Sequence, residues 1–313
     1  MINLAEGPRI AFIGAIDFSN HCLLEAINYQ GNIVAVIGLD PRYASRHSDY
    51  VDLSHTAINF NIPYHSINNI NSNNSIRMLK ELHADYFFIF GWSQLLSTEV
   101  LSIPRTGTIG SHPALLPKNR GRHPLIWSLI NNEETGGITF LYLNNGIDDG
   151  DILWQESFPI TKWDDAGTLY AKIKTLASKA IPDLLDKMAA GPLIGTVQAA
   201  ETATYLRKRS EADGLIHWSL PAKVIHNLVR ALTHPYVGAH SYYNGGKITI
   251  WKTKIQNPGY IPVQYQKLIP GTIFEPVKDV FCVTTGSMPL QLLEYDIDEN
   301  NTLSSGSHME TQL

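Results

Sequence analysis

Residues 9–39 read RIAFIGAIDFSNHCLLEAINYQGNIVAVIGL, and their spacing decides the fold class. Arg9–Ile16 is an apolar run of strand length. Asn20–Gln30 then carries Leu23, Leu24, Ala26 and Ile27 at helical spacing, and Ile33–Leu39 returns as a β-branched strand. Working outward, the alternation continues with a helix near Asn74–His83, an apolar strand at Tyr86–Phe90, a strand at Thr106–Ser111 and a helix at Pro124–Asn131. Strands alternating with helices predict an α/β architecture, a Rossmann-like parallel sheet covered on both faces.

Asp165–Ala190 sets Leu169, Ile173, Leu176, Ala180 and Leu184 on one helical face, with Pro182 expected to bend or interrupt it. From Gly191 to Thr204 the chain reads GPLIGTVQAAETAT, a composition that suits a linker. A second unit opens with a helix at Pro221–Leu232. It continues as short strands near Ala239–Tyr243, Lys247–Trp251, Thr272–Glu275, Val280–Thr284 and Leu290–Tyr295, which predicts a small β-rich, OB-like barrel. The expected division is a catalytic domain over 1–190, a linker over 191–204, a barrel-like domain over 205–297 and a disordered polar tail over 298–313. Within that tail GSHM, Gly306–Met309, suits a natural end or an expression scar equally.

Composition narrows the partners. The formal charge of −5, from 24 basic and 29 acidic side chains, gives no field that gathers a polyanion, so nucleic acid is disfavoured. Cys22 and Cys282 are the only cysteines, too few for a disulfide framework or a zinc knuckle, and they fit a reducing cytoplasm. MINLAEGPRI has no cationic leader before an apolar run, and no stretch nears the roughly 18 apolar residues of a membrane span. A cytoplasmic protein with no membrane partner is expected, and a homodimer is allowed. The histidines show no metal-type spacing, and the first strand runs into GAIDFSN instead of a Gly-x-Gly-x-x-Gly turn, so neither a metal nor NAD is expected. A Ser111–His112–Asp148 hydrolase is disfavoured, because neighbours on a strand point to opposite faces and no Gly-x-Ser-x-Gly elbow is present.

Two stretches carry the chemistry. Gly110–Gly121, GSHPALLPKNRG, puts His112 at the C-terminal end of a strand, where parallel sheets place their sites. Gly146–Asp151, GIDDGD, crowds carboxylates into a turn after the predicted strand Ile138–Tyr142, with Asp148 expected to face the same cleft. Together they resemble the formyltransferases that use N10-formyltetrahydrofolate, whose pattern is Asn-x-His-Pro-x-Leu-Leu-Pro followed by Gly-x-Asp-x-Gly-Asp. The resemblance implies that His112 donates a hydrogen bond to the oxygen of the formyl group under attack, and that Asp148 holds the imidazole and takes up the amine's proton. It also implies a folate site from Phe90, Gly91, Trp92, Leu95 and Leu96 with Asn145 and Gly146, and an amine-substrate site from Lys118, Asn119, Arg120 and Arg122.

One position departs from the family. Gly110 stands where the family has its asparagine, which removes an oxyanion donor worth on the order of 100- to 1000-fold in turnover. The Gly110 or Ser111 N–H, the Ser111 hydroxyl or Asn119 is expected to replace it. The second unit helps identify the branch, since Asp213–Trp218, DGLIHW, resembles the C-terminal domain of methionyl-tRNA formyltransferases and nucleotide-sugar N-formyltransferases. Where the tRNA enzymes carry a Lys-rich insertion, residues 40–65 read DPRYASRHSDYVDLSHTAINFNIPYH, with no lysine. The expectation is therefore formylation of a nucleotide-linked amino sugar, as in bacterial surface-glycan biosynthesis. Aminoacyl-tRNA is the alternative amine, and a folate- or nucleotide-binding pseudoenzyme the alternative class.

Overall fold

The computed structural model describes residues 7–257, 265, 268–299 and 301–311. Residues 1–6, 300 and 312–313, on which part of the leader and tail expectations fall, lie outside them. The chain forms two compact units, one holding the chain up to Pro124 with Thr135–Pro159 and Tyr170–Leu206, the other Leu125–Glu134, Ile160–Leu169 and Arg207 onward. This interleaving differs from a single crossing at 191–204. In the second unit the buried Arg230 donates to the carbonyls of Thr161 (3.0 Å) and Asp164 (2.8 Å), and Asn227 donates to Asn132. The Thr161 carbonyl also accepts the Asp164 N–H, and Arg230 adds a charged donor to both carbonyls.

The first unit contains, in chain order, β1 (Ile10–Gly14), α1 (Asp17–Asn28), β2 (Ile33–Leu39), α2 (Ser54–Asn59), β3 (Tyr64–Ile67), α3 (Asn73–Glu81), β4 (Tyr86–Phe90), α4 (Thr98–Leu101), β5 (Gly107–His112) and β6 (Arg120–Gly121). After α5 (Pro124–Ile130) come β7 (Thr135–Tyr142), β8 (Ile152–Pro159), α6 (Ala166–Ala190) and β9 (Tyr205–Leu206). The main sheet runs β3-β2-β1-β4-β5-β7-β8. β1 to β5 are parallel, but β7 is antiparallel to both neighbours, so the expected parallel sheet is mixed at one edge. An antiparallel neighbour needs no crossover connection, whereas each parallel pair does.

Every residue of β1 and β4 is buried, as central strands covered on both faces must be. On one face Phe12, Phe90, Phe140 and Trp154 meet edge to face, with centroids 5.3–6.0 Å apart. On the other, Ala11, Ile13, Ala35, Ile37, Phe87 and Ile89 pack with Ile76, Leu79 and Val100. Strand order reverses between β1 and β4, so the clefts at the C-terminal ends of β1, β4 and β5 lie at the switch point. α6 runs unbroken through Pro182, where the sequence suggested an interruption. One missing N–H is tolerated there because Ala180, Ile181, Leu184 and Leu185 are all buried around it.

In the second unit α7 (Ala222–Leu232) precedes β10 (Ala239–Tyr243), β11 (Gly246–Ile255), β12 (Ile273–Val277), β13 (Val280–Val283) and β14 (Leu290–Ile297). The five strands form an antiparallel sheet in the order β10-β11-β14-β13-β12. The expected disorder of the tail is corrected. Glu310 pairs with Tyr242 on edge strand β10, and Gly306–Met309 bonds to Gly271 and Ile273 at the β12 edge. Edge strands leave rows of unpaired N–H and C=O groups, and the tail satisfies both edges while burying Leu303 and Met309.

Candidate active site

His112 ends β5 and is 4% exposed. Its Nε2 lies 2.7 Å from the Asn119 carbonyl oxygen. A carbonyl only accepts, so Nε2 carries the proton and donates. On the other edge of the ring, Nδ1 faces Asp148 Oδ2 at 3.5 Å, an ion-pair distance longer than a direct hydrogen bond. The ring meets both neighbours as a donor only when both nitrogens are protonated.

Asp148 reaches this position by a route the sequence does not suggest. Because β7 runs antiparallel, its end residue Tyr142 pairs with Ile109 and not with His112. The segment after Tyr142 folds back, and Asp148 adopts a left-handed backbone (φ 50°) while its Oδ2 accepts the Gly121 N–H at 2.8 Å. Residues 117–122 are in turn sewn to 204–206: Arg120 N–H donates to Thr204 O, Arg122 N–H to Leu206 O, and Asn119 N–H to Thr204 Oγ1. β6 and β9 form a short parallel pair.

The sequence-derived site residues separate into groups. His112, Asp148 and Asn119 come together. Arg120 does not serve as an anion clamp: it is 4% exposed, with Nε and Nη2 donating to Gln198 Oε1 (3.1 and 2.7 Å) and Nη1 to Tyr205 Oη (2.9 Å). Such a guanidinium is a buried strut, whereas Lys118 and Arg122 are exposed. The Phe90 ring is fully buried against Phe12 and Phe140, and its carbonyl accepts from Ser19 Oγ. Gly91 turns the chain with φ 62°, where a Cβ would sit 2.2 Å from Ile16. Asn145 and Gly146 are exposed, and Asn145 Oδ1 accepts from Thr98.

Trp92 and Leu96 pack on the same apolar cluster as Leu143, while Leu95 is 78% exposed. Leu143 explains the departure at position 110, because a Cβ on Gly110 would stand 2.5 Å from its Cδ2. Leucine from the returning loop fills the volume an asparagine side chain would need. Trp92 Nε1 is buried without an acceptor among the described residues. An orphaned donor of this kind calls for a partner from outside the protein. Sequence reasoning missed Gln198, Tyr205 and Leu143; the first lies in the supposed linker, and no periodicity marks any of them.

With this geometry in hand, comparison identifies the class. The formyl transferase family profile matches residues 9–185, and the formyl transferase C-terminal domain matches residues 208–312. The chain belongs to the formyl transferase family and is an enzyme that transfers formyl groups.

Among particular relatives, it is 30% identical over 290 residues to the methionyl-tRNA formyltransferase of Caldanaerobacter subterraneus subsp. tengcongensis, covering 91% of each chain. To that of Acetivibrio thermocellus it is 29% identical, covering 95% of this chain and 94% of the relative. Solved structures share the fold at lower identity. The sugar 3N-formyltransferase WlaRD, in the presence of dTDP and 5-N-formyl-THF, superimposes with a TM-score of 0.66 at 19% identity, covering 95% of this chain and 100% of that one. An N-formyltransferase of Helicobacter canadensis, in complex with folinic acid and dTDP-3-aminofucose, gives 0.66 at 21%, covering 93% and 99%. HypX of Aquifex aeolicus with tetrahydrofolic acid gives 0.68 at 14%; the chain spans 45% of its length.

Proposed function

We propose that the protein formylates the amine of a nucleotide-linked amino sugar, with N10-formyltetrahydrofolate as donor and His112 and Asp148 as the reacting pair. The observation that carries the choice of amine is the segment after β2. Its Arg42 is already neutralised by Asp40 at 2.6 Å, and that guanidinium holds the Asp40 carboxyl down at about 2. Asp49 accepts from Tyr170, and Asp52 from the Ser54 N–H. A surface built this way does not collect the many phosphates of a tRNA. Lys118 and Arg122, exposed on the loop after β5, suffice for one diphosphate. The nucleotide-sugar enzymes of the same fold support this reading, and the methionyl-tRNA formyltransferase relatives make tRNA the second one.

The loop after β4 fits a folate donor. Trp92 offers a buried N–H without an acceptor among the described residues, Gly91 brings the backbone close, and Leu95 and Leu96 add apolar surface. The bound donor supplies an electrophilic formyl carbon. His112 then places a proton beside the formyl oxygen as charge builds there, in competition with the Asn119 carbonyl for the Nε2 hydrogen. Asp148 orients the ring and accepts the proton that the attacking amine sheds. Leu143 closes the space over Gly110, so the oxyanion donor that the family's asparagine supplies does not come from a side chain at that position.

Incubation with N10-formyltetrahydrofolate and separate panels of sugar nucleotides and aminoacyl-tRNA, read by mass spectrometry, tests the proposal. Formylated sugar nucleotide is expected; product from tRNA alone defeats the sugar reading, and no product from any amine favours a binding protein. His112→Ala is expected to lower turnover by about 100-fold or more. Arg122→Ala should raise the Michaelis constant for the sugar nucleotide while leaving stability unchanged.

A further inference from the structure

We infer that Gln198 is a positioning residue for the His112–Asp148 pair, coupling the buried Arg120 charge to the backbone turn that presents Asp148; the inference rests on the reading of that pair as the reacting groups. Gln198 is 7% exposed and lies in the stretch whose composition suggests a linker. All its hydrogen-bonding positions are filled. Oε1 accepts from Arg120 Nε (3.1 Å) and Nη2 (2.7 Å), and Nε2 donates to Asp148 O (2.9 Å) and Gly150 O (2.7 Å). Because a guanidinium only donates and a carbonyl only accepts, the amide has one orientation and cannot be turned over.

This arrangement has two physical consequences. First, one NH2 group grips the carbonyls on both sides of Asp149 and so fixes the turn in which Asp148 holds its left-handed backbone. Released from that grip, the turn relaxes and Asp148 leaves the Gly121 N–H and the His112 ring, which it meets at 2.8 and 3.5 Å. Second, Arg120 meets no carboxylate among the described residues; its side-chain hydrogen bonds end on Gln198 and Tyr205. A full positive charge on Oε1 polarises the amide and strengthens the two N–H bonds on the far side. The buried charge thus acts on the reacting pair through one side chain.

Gln198→Glu separates this role from a merely structural one. It keeps both acceptors for Arg120 and adds an ion pair, yet sets a carboxylate against two carbonyl oxygens. Tyr205→Phe is the converse, removing Arg120's other acceptor without touching the turn. For both variants, kcat and KM for formyl transfer would be measured with thermal midpoints, together with the 15N-imidazole titration of His112 in the free protein. Expected for Gln198→Glu is a folded enzyme with kcat down about 10- to 100-fold, KM values little changed and a displaced His112 titration. Tyr205→Phe should keep kcat and the titration.

Parental kcat and titration in Gln198→Glu, or equal shifts in Tyr205→Phe, overturn the inference. Should Gln198→Glu not fold, Arg120→Met combined with Gln198→Met leaves no buried charge and carries the same test: parental kcat and His112 titration overturn the inference, and their loss supports it. The titration needs no substrate. If His112→Ala leaves formyl transfer intact while Gln198→Glu still moves the His112 titration, the catalytic reading fails and the coupling stands.

Discussion

Two polar, aperiodic segments, Thr196–Leu206 in the first unit and residues 301–311 in the second, read alike in the sequence and do different work in the fold. The tail acts through its backbone, pairing with Tyr242, Gly271 and Ile273 and closing the edges of a sheet. The strap also pairs by backbone, at Thr196 with Ile152 and at 204–206 with 117–122, but adds a buried side chain, Gln198, whose amide is spent on Arg120 and the Asp148 turn. Backbone pairing tolerates most side chains, whereas an amide with four fixed bonds tolerates none. The difference teaches that a segment without periodicity can be structural in a sequence-tolerant way or functional in a residue-specific way.

Several substitutions can break that contrast. The largest effect is expected from ending the chain before Asn301, which removes the buried Leu303 and Met309 and the backbone bonds at both edges. Loss of about 5 kcal/mol from the second unit should follow, read by hydrogen exchange of β10 and β12. Next is Arg120→Ala, which leaves Gln198 Oε1 and Tyr205 Oη without their donor; about 3 kcal/mol is expected in urea unfolding. An exposed Arg120-like phenotype, with lost substrate affinity and unchanged stability, would contradict the strut.

Acid should distinguish the units further. Burial lowers the pKa of His226 and of His240 below their ordinary value of 6.5, and both lie in the second unit. With folded pKa below unfolded, the unfolded chain takes up protons first, so the stability is complete above 6.5 and is lost as pH falls through and below it. Thermal midpoints between pH 7.5 and 5 should therefore fall for the second unit, and His226→Gln should flatten the slope. The smallest effect is expected for Glu310→Ala: the pairing uses only its backbone, so stability should stay within about 0.5 kcal/mol of the parent. A larger loss would show that the tail depends on the Glu310 side chain besides the buried Leu303 and Met309.

Much of this was legible without coordinates. The apolar runs at β1, β2 and β4 and the helical spacing of α6 specify a covered sheet, because burial on both faces leaves no polar alternation. His112 and Asp148 were legible from residue type and local pattern. Arg120 and Arg122 look alike in GSHPALLPKNRGR, yet one is buried and one exposed, since burial depends on residues 198–206, far away in the chain. The burial of the Phe90 ring was hidden for the same reason: its neighbours Phe12 and Phe140 come from other strands.

The sequence by itself determined the element types and the class of fold and pointed to His112 and Asp148 as the candidate pair, because those follow from local spacing and from chemistry that few residue types can perform. Only the tertiary structure decided that β7 runs antiparallel, that Leu143 occupies the volume above Gly110, that the tail closes the second sheet and that Gln198 grips the Asp148 turn. Each of these depends on contacts between residues distant in the chain, and such contacts leave no periodic trace in the sequence.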